Sequence, residues 1–158
     1  MADATKLVHE LHRRKLTVAV AESCTGGMVA AALTDVPGSS EVFGWGVVAY
    51  SNQAKETLLG VAPETLAEYG AVSSHTATEM VSGMLKLSGA KVALATTGIA
   101  GPGGGTEEKP VGQVYIGCGD HHYIKVKRCR FHGDRDSVRR HTVHEALDML
   151  EKYLEEGK

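Results

Sequence analysis

Cysteine is scarce in this 158-residue chain: Cys24, Cys118 and Cys129 are an odd set with no CxxC or CxxCH spacing. That excludes a disulfide framework and points to a reduced, cytoplasmic setting. No apolar run approaches the ~20 residues of a membrane span, and no basic stretch followed by an apolar one opens the chain. An excess of one charge is missing as well. Lys and Arg number 17 against 19 Asp and Glu, a formal net charge of −2, which weighs against a dedicated nucleic-acid binder. The standard signatures GxxxxGK[ST], GxGxxG after a strand, GxSxG and HExxH are also absent, so no common nucleotide, hydrolase or metalloprotease motif explains the chain.

Metal chemistry has little support. His121, His122, His132, Cys118 and Cys129 match no zinc-ligand spacing, and adjacent histidines on a strand would point to opposite faces. His141 and His144, three apart on a helix, are a weak pair. Neither a metal nor a cofactor is expected. A basic stretch does run from Lys125 to Arg140, suited to a phosphate-bearing small molecule. Its aromatic neighbours Tyr123 and Phe131 show no base-stacking pattern.

What is present is a regular alternation of elements. Residues 3 to 14 read as a helix capped by Asp3, with Ala4, Leu7, Val8 and Leu11 on one face. "TVAVAES" is a buried strand, and Gly26 to Thr34 a small-residue helix that Pro37 ends. "GWGVVAY" reads as a second strand and "NQAKETLLG" as a short helix closed by Gly60. In the helix near 76 to 87, Thr76 and Glu79 have capping-box spacing, and Ala77, Met80, Val81, Met84 and Leu85 form an apolar stripe. "KVALATTG" is a third strand that opens into a glycine-rich loop too long for an ordinary connection. "GQVYIGCG" and "HHYIKVKRCRF" suggest an antiparallel pair. A last helix spans Asp134 to Leu154, with Val143, Ala146, Leu147, Leu150 and Leu154 inward. The expectation is one α/β domain over residues 1–158, layered, with helices packed on a mixed β-sheet. Ligands of such folds gather beyond the strand ends, where "ESCTGG", "YSN" and "TTGIAGPGGG" fall.

Two places carry candidate chemistry. "AESCTGG" sets Ser23, Cys24 and Thr25 beside a helix start, where the amides of Gly26 and Gly27 have the form of an anion site. A cysteine at a strand end is more often a small buried residue than a nucleophile. The second place is "PGSSEVFGWGVVAYSNQAK", with Ser39 and Ser40 after a turn and Tyr50 and Lys55 further on. Serine, tyrosine and lysine suffice for nucleophilic catalysis if the lysine is neutral. Neutrality near pH 7 lowers its pKa from ~10.4 by about three, roughly 4–5 kcal/mol of desolvation or repulsion.

The blocks "AESCTGG", "GSSEVFGWGVVAYSNQAKETLLGV", "GAVSS", "TTGIAGPGGGTEEKPVGQVYIG" and "GDRDSVRRHTVHEAL" together resemble the CinA C-terminal domain family over roughly residues 5 to 154. Stand-alone members of that family are nicotinamide mononucleotide deamidases of the PncC type. The pterin-related domain that precedes this unit in longer members has no counterpart here, which resembles the free-standing enzyme. The resemblance implies an amidohydrolase that converts nicotinamide mononucleotide to nicotinate mononucleotide and ammonia in pyridine nucleotide salvage. It also implies a serine–lysine pair assisted by a tyrosine. Carried over by motif, Ser40 is the nucleophile, Tyr50 the assisting tyrosine and Lys55 the base. Ser23 and Cys24 are then structural, or support the reacting groups from behind. Thr25, Gly26, Gly27, Thr97, Gly98, Gly101, Arg135 and Arg139 are expected to hold the substrate, and the glycines of "ESCTGG" or "TTGIAG" the oxyanion.

One difficulty is geometric. A straight strand over 44 to 50 spans ~20 Å and separates Ser40 from Lys55, so the chain folds back at Gly44 or Gly46, or a second subunit completes the site. A homo-oligomer is therefore expected. The alternatives are a non-catalytic nucleotide-binding or regulatory module and a nucleic-acid-associated role, which the balanced charge disfavours.

Overall fold

A computed structural model describes residues 2–157. Its centre is a five-stranded mixed sheet in the order β2-β1-β3-β4-β5. The strands are β1 (Val18–Glu22), β2 (Phe43–Val48), β3 (Val92–Gly98), β4 (Gln113–Gly119) and β5 (Ile124–Arg130). β1 runs parallel to both β2 and β3, and β4 is antiparallel to β3 and β5. Six helices cover the sheet: α1 (Ala4–Arg13), α2 (Met28–Thr34), α3 (Asn52–Leu59), α4 (Pro63–Tyr69), α5 (Ser74–Ser88) and α6 (Arg135–Glu156). Among the described residues no helix is long and apolar enough to cross a membrane.

The central strands bury both faces, and the pleat divides their side chains between two cores. Val18 and Val20 of β1, with Val92 and Leu94 of β3, face a core closed by α1, α2 and α6. Ala19, Ala21, Ala93 and Ala95 face the second core, which α5 fills with Met80, Val81, Met84 and Leu85. Burying each of those larger side chains contributes roughly 1.5–3 kcal/mol. The alanines let α5 lie close to the sheet, and Gly83 lets α3 lie close to α5. A Cβ built on Gly83 would stand 1.8 Å from the Leu59 carbonyl oxygen.

The expected elements are present, with four differences. The helix after β1 starts at Met28, because Gly26 and Gly27 take positive φ of 57° and 107° and cannot belong to it. The helix after residue 73 is capped by Ser73, whose side chain accepts from the Thr76 amide. Glu79 is not part of a capping box; it reaches across to the Ala62 amide at 2.8 Å and the Thr65 hydroxyl at 2.6 Å. α4 has no fully buried residue, hence no apolar stripe to read. His121 and His122 occupy the turn between β4 and β5 rather than a strand; the His122 amide donates to Asp120 Oδ1.

The parallel register decides where chemistry can gather. Val18 pairs with Phe43 and Glu22 with Val48, and on the other side Glu22 pairs with Thr96. The carboxyl ends of β1, β2 and β3 therefore lie side by side. The turn at residues 23–27, the link at 49–51 and the glycine-rich loop after Gly98 all leave the sheet from that edge.

Candidate active site

Lys55 lies in α3, whose N-cap Ser51 accepts from the Ala54 amide at 3.0 Å. That start aims the lysine side chain back under the link from β2. It is only 1% exposed. Its Nζ lies 3.0 Å from Ser23 Oγ, 3.0 Å from the Ala49 carbonyl oxygen and 3.2 Å from that of Tyr50.

These three neighbours suit a neutral amine. Two of them are carbonyls, which only accept, and they take the two N–H donors of an uncharged amine. The remaining lone pair faces a hydroxyl that can donate. No carboxylate is among the partners of the amine, and burial pulls the lysine pKa down from its ordinary value. The same position serves the ammonium, whose third proton would be shared with Ser23. The pair can thus pass a proton in either direction without moving.

Ser23 is held as firmly. Its amide donates to the Thr96 carbonyl at 3.0 Å, and its carbonyl accepts from the Gly26 amide at 3.1 Å. Glu22, 1% exposed, supports the turn from beneath. One carboxylate oxygen accepts from the Thr25 hydroxyl at 2.6 Å and the Val29 amide at 2.8 Å, the other from the Ala30 amide at 3.0 Å. The Thr25 and Thr96 hydroxyls are 2.8 Å apart. Cys24 has the opposite of an activated thiol: burial pushes its pKa up to about 11, which suits a packed side chain.

Ser40 is elsewhere. It sits exposed in a single 3-10 turn, Ser39–Glu41, ahead of β2. β2 then runs in parallel register with β1 to Val48, without folding back at Gly44 or Gly46. Its six residues carry the chain about 20 Å at ~3.3 Å per residue. The pairing of Ser40 with Lys55 inside one chain is therefore corrected: the serine beside the lysine is Ser23. Tyr50 meets the lysine through its carbonyl only, while its hydroxyl accepts from Arg135 Nη2 at 3.1 Å.

The expected cradle also changes. The Val29 and Ala30 amides of α2 are taken by Glu22 and that of Met28 by the Thr25 carbonyl, so the start of the helix is not an open anion site. The Thr25 hydroxyl is engaged by Glu22 and Thr96, and the Thr97 hydroxyl donates to the Ala71 carbonyl at 2.7 Å. Arg139 is engaged too, with Nε donating to the Cys24 carbonyl at 3.1 Å and Nη2 to that of Thr25 at 3.4 Å. Gly98 packs where a Cβ would strike Val114 at 2.6 Å, and Gly101, at φ 86°, where one would strike Val111 at 2.5 Å. Arg135 bridges the mouth, its Nη1 on the Gly101 carbonyl at 2.7 Å and its Nη2 on Tyr50. It is exposed, and a carbonyl and a phenol hold it rather than a carboxylate.

Ser23, read from the sequence as structural, stands 3.0 Å from the Lys55 amine, and Glu22, which the sequence did not single out, braces its turn. The available signal was positional: "ES" ends a buried strand at the edge where α/β folds collect ligands. Among the described residues no group of three or more His, Cys, Asp or Glu side chains is placed to hold a metal.

A family model for the CinA C-terminal domain matches residues 2–154. A protein of Thermoanaerobacter pseudethanolicus named as competence-damage inducible is 54% identical over 144 residues, covering 91% of this chain and 35% of that one. A CinA-like protein of Endomicrobium trichonymphae is 53% identical over 144 residues, again covering 91% of this chain, and 34% of that one. The chain thus spans about a third of the length of these curated relatives. Among solved structures, a CinA superfamily protein from Klebsiella pneumoniae superposes with a TM-score of 0.93 at 38% identity, over 97% of this chain and 96% of that one. A competence/damage inducible protein from Agrobacterium tumefaciens gives 0.89 at 43% identity, over 98% and 97%.

Proposed function

The chain belongs to the CinA C-terminal domain family, and from that premise we propose that it is an amidohydrolase acting on nicotinamide mononucleotide. Its products are nicotinate mononucleotide and ammonia. The nucleophile is Ser23 and the base Lys55. The observation that carries this reading is the buried lysine amine 3.0 Å from Ser23 Oγ, with two carbonyls as its other partners and no carboxylate.

The steps follow from that contact. Ser23 Oγ attacks the carboxamide carbon as its proton passes to Lys55 Nζ. The tetrahedral adduct needs donors for its oxygen, and the backbone turn that carries Ser23 is the nearest source; one such donor supplies ~3–4 kcal/mol. Lys55, now an ammonium, returns the proton to the departing nitrogen, and ammonia leaves. Water then attacks the Ser23 ester with Lys55 again as base, releasing the carboxylate. A positioned base of this kind contributes roughly 10²–10⁴-fold. Arg135 at the mouth, next to the glycine-rich loop, is the group suited to the substrate phosphate. No cofactor enters the sequence of steps.

The test is direct. The protein is incubated with nicotinamide mononucleotide, and ammonia and nicotinate mononucleotide are quantified together. Equimolar release, lost in Ser23→Ala, is expected. Tight binding of the nucleotide without ammonia would leave a binding module and end the enzymatic reading.

A further inference from the structure

Helix α6 does not cover the sheet to its edge. It packs on β3 and β4, and the same face of the edge strand β5 stays open at Lys125 and Lys127, both exposed. Lys125 stands opposite Cys118 and Lys127 opposite Ile116, and both partners belong to the core that α6 closes. On α6, Glu145, Met149, Lys152, Tyr153 and Glu156 fall at helical spacing along one stripe. Between that stripe and β5 lies a cavity of about 250 Å³. Its Met149 wall is about 20 Å along α6 from Arg135, at ~1.5 Å per residue, so the cavity is separate from the Ser23–Lys55 site.

Its walls are largely apolar and held in place. Cys118, Met149, Tyr123 and Tyr153 line it, the first two buried. Asp120 fixes both tyrosines: its Oδ1 accepts from the Tyr123 amide at 2.9 Å, and its Oδ2 from the Tyr153 hydroxyl. The charges around the cavity are uneven. Lys127 is paired with Glu145, whereas Lys125 and Lys152 form no ion pair among the described residues. Glu156 is the one acidic residue in the lining.

We propose that this cavity is a second ligand site and that its ligand is a small aromatic carboxylate. The volume lies just under the ~300 Å³ at which ligand pockets ordinarily begin, which limits the occupant to one or two rings. A planar ring suits the two tyrosines and the Met149 thioether, which gains from contact with an aromatic edge. A carboxylate suits Lys125 and Lys152, one from the strand and one from the helix, whose mutual repulsion an anion between them relieves. A cationic ligand would meet only Glu156, and a neutral ring would leave both ammonium groups without a partner. The inference does not depend on the chemistry proposed for Ser23.

The probe is 2-naphthoate, with its uncharged counterpart 2-naphthamide beside it, titrated into the full chain by calorimetry. Saturable binding of the naphthoate is expected, about tenfold or more tighter than that of the amide. Lys125→Gln and Lys152→Gln each weaken it about fivefold, and Glu156→Gln strengthens it. Arg128→Gln, on the same strand but opposite Tyr115 and so on the other face, leaves it unchanged. All of these side chains are exposed, so the variants disturb no core, which circular dichroism checks. Equal affinity for acid and amide overturns the inference, as does the lack of saturable binding at millimolar probe. An affinity unchanged in both lysine variants, or one that falls equally in Arg128→Gln, overturns it as well.

Discussion

Two serines stand at opposite ends of one parallel strand pair, and only one touches a buried lysine. At the amino end of β2, Ser40 is exposed in a 3-10 turn, where water offers a serine no base. At the carboxyl end, Ser23 is 8% exposed and touches a buried lysine amine. The residue type is the same; burial and the neighbour differ. A buried amine without a counter-ion is costly to charge, and that cost favours its neutral form. The carboxyl edge also collects three connections, whereas the amino end of β2 lies beside the start of β1.

Replacing each serine separates the two ends most sharply. Ser23→Ala is expected to lower kcat for ammonia release by about 10⁴-fold or more, as removal of an activated nucleophile does. Ser40→Ala changes it by less than about twofold, in line with a surface substitution. A large loss in Ser40→Ala would erase the contrast.

The pH dependence tests the lysine next. Below its pKa, Lys55 is protonated and cannot take the Ser23 proton. Because that pKa is lowered by burial, kcat/KM should rise about tenfold per pH unit on the acid side and level off below the ordinary ~10.4 of lysine. Lys55→Arg, which stays charged, should remain inactive across the range. The same shift acts on the fold. Between the folded and unfolded pKa the unfolded lysine is protonated and the folded one is not, so this residue's contribution to stability rises with pH. A profile that levels off only near the ordinary lysine pKa would contradict the burial argument.

The smallest effect concerns the scaffold under Ser23. Glu22→Ala leaves the amides of Val29 and Ala30 without their buried acceptor and the Thr25 hydroxyl with Thr96 alone. A loss of about 3 kcal/mol or more in stability is expected, at ~1–3 kcal/mol for each unpaired group, read from the urea midpoint. An unchanged midpoint would mean that the turn holds itself.

Much of the fold was readable from local chemistry. Asp3 caps α1 as expected; β1 reads as buried because it is a short apolar run, and α5 as helical because of its stripe. α4 was not readable, since its seven residues include none that is fully buried. The site was half readable. Its glycine-rich loop, Tyr50 and Lys55 fall at strand ends, and the sequence places them there. The partner of Lys55 was not, because 32 residues separate it from Ser23 and only the parallel register of β1 and β2 brings them together. Glu22 was missed for a related reason. A glutamate ending a buried strand reads as the start of a loop until the helix it caps, at Val29 and Ala30, is seen to turn back over it.

Acylation of Ser23 is the central step of the proposed reaction. Acid-quenching the enzyme during turnover of nicotinamide mononucleotide and mapping the adduct by peptide mass spectrometry tests that most directly. A nicotinate mononucleotide ester on Ser23 is expected, absent from Ser23→Ala and retained in Ser40→Ala. The same adduct on Ser40 or Cys24 would contradict it.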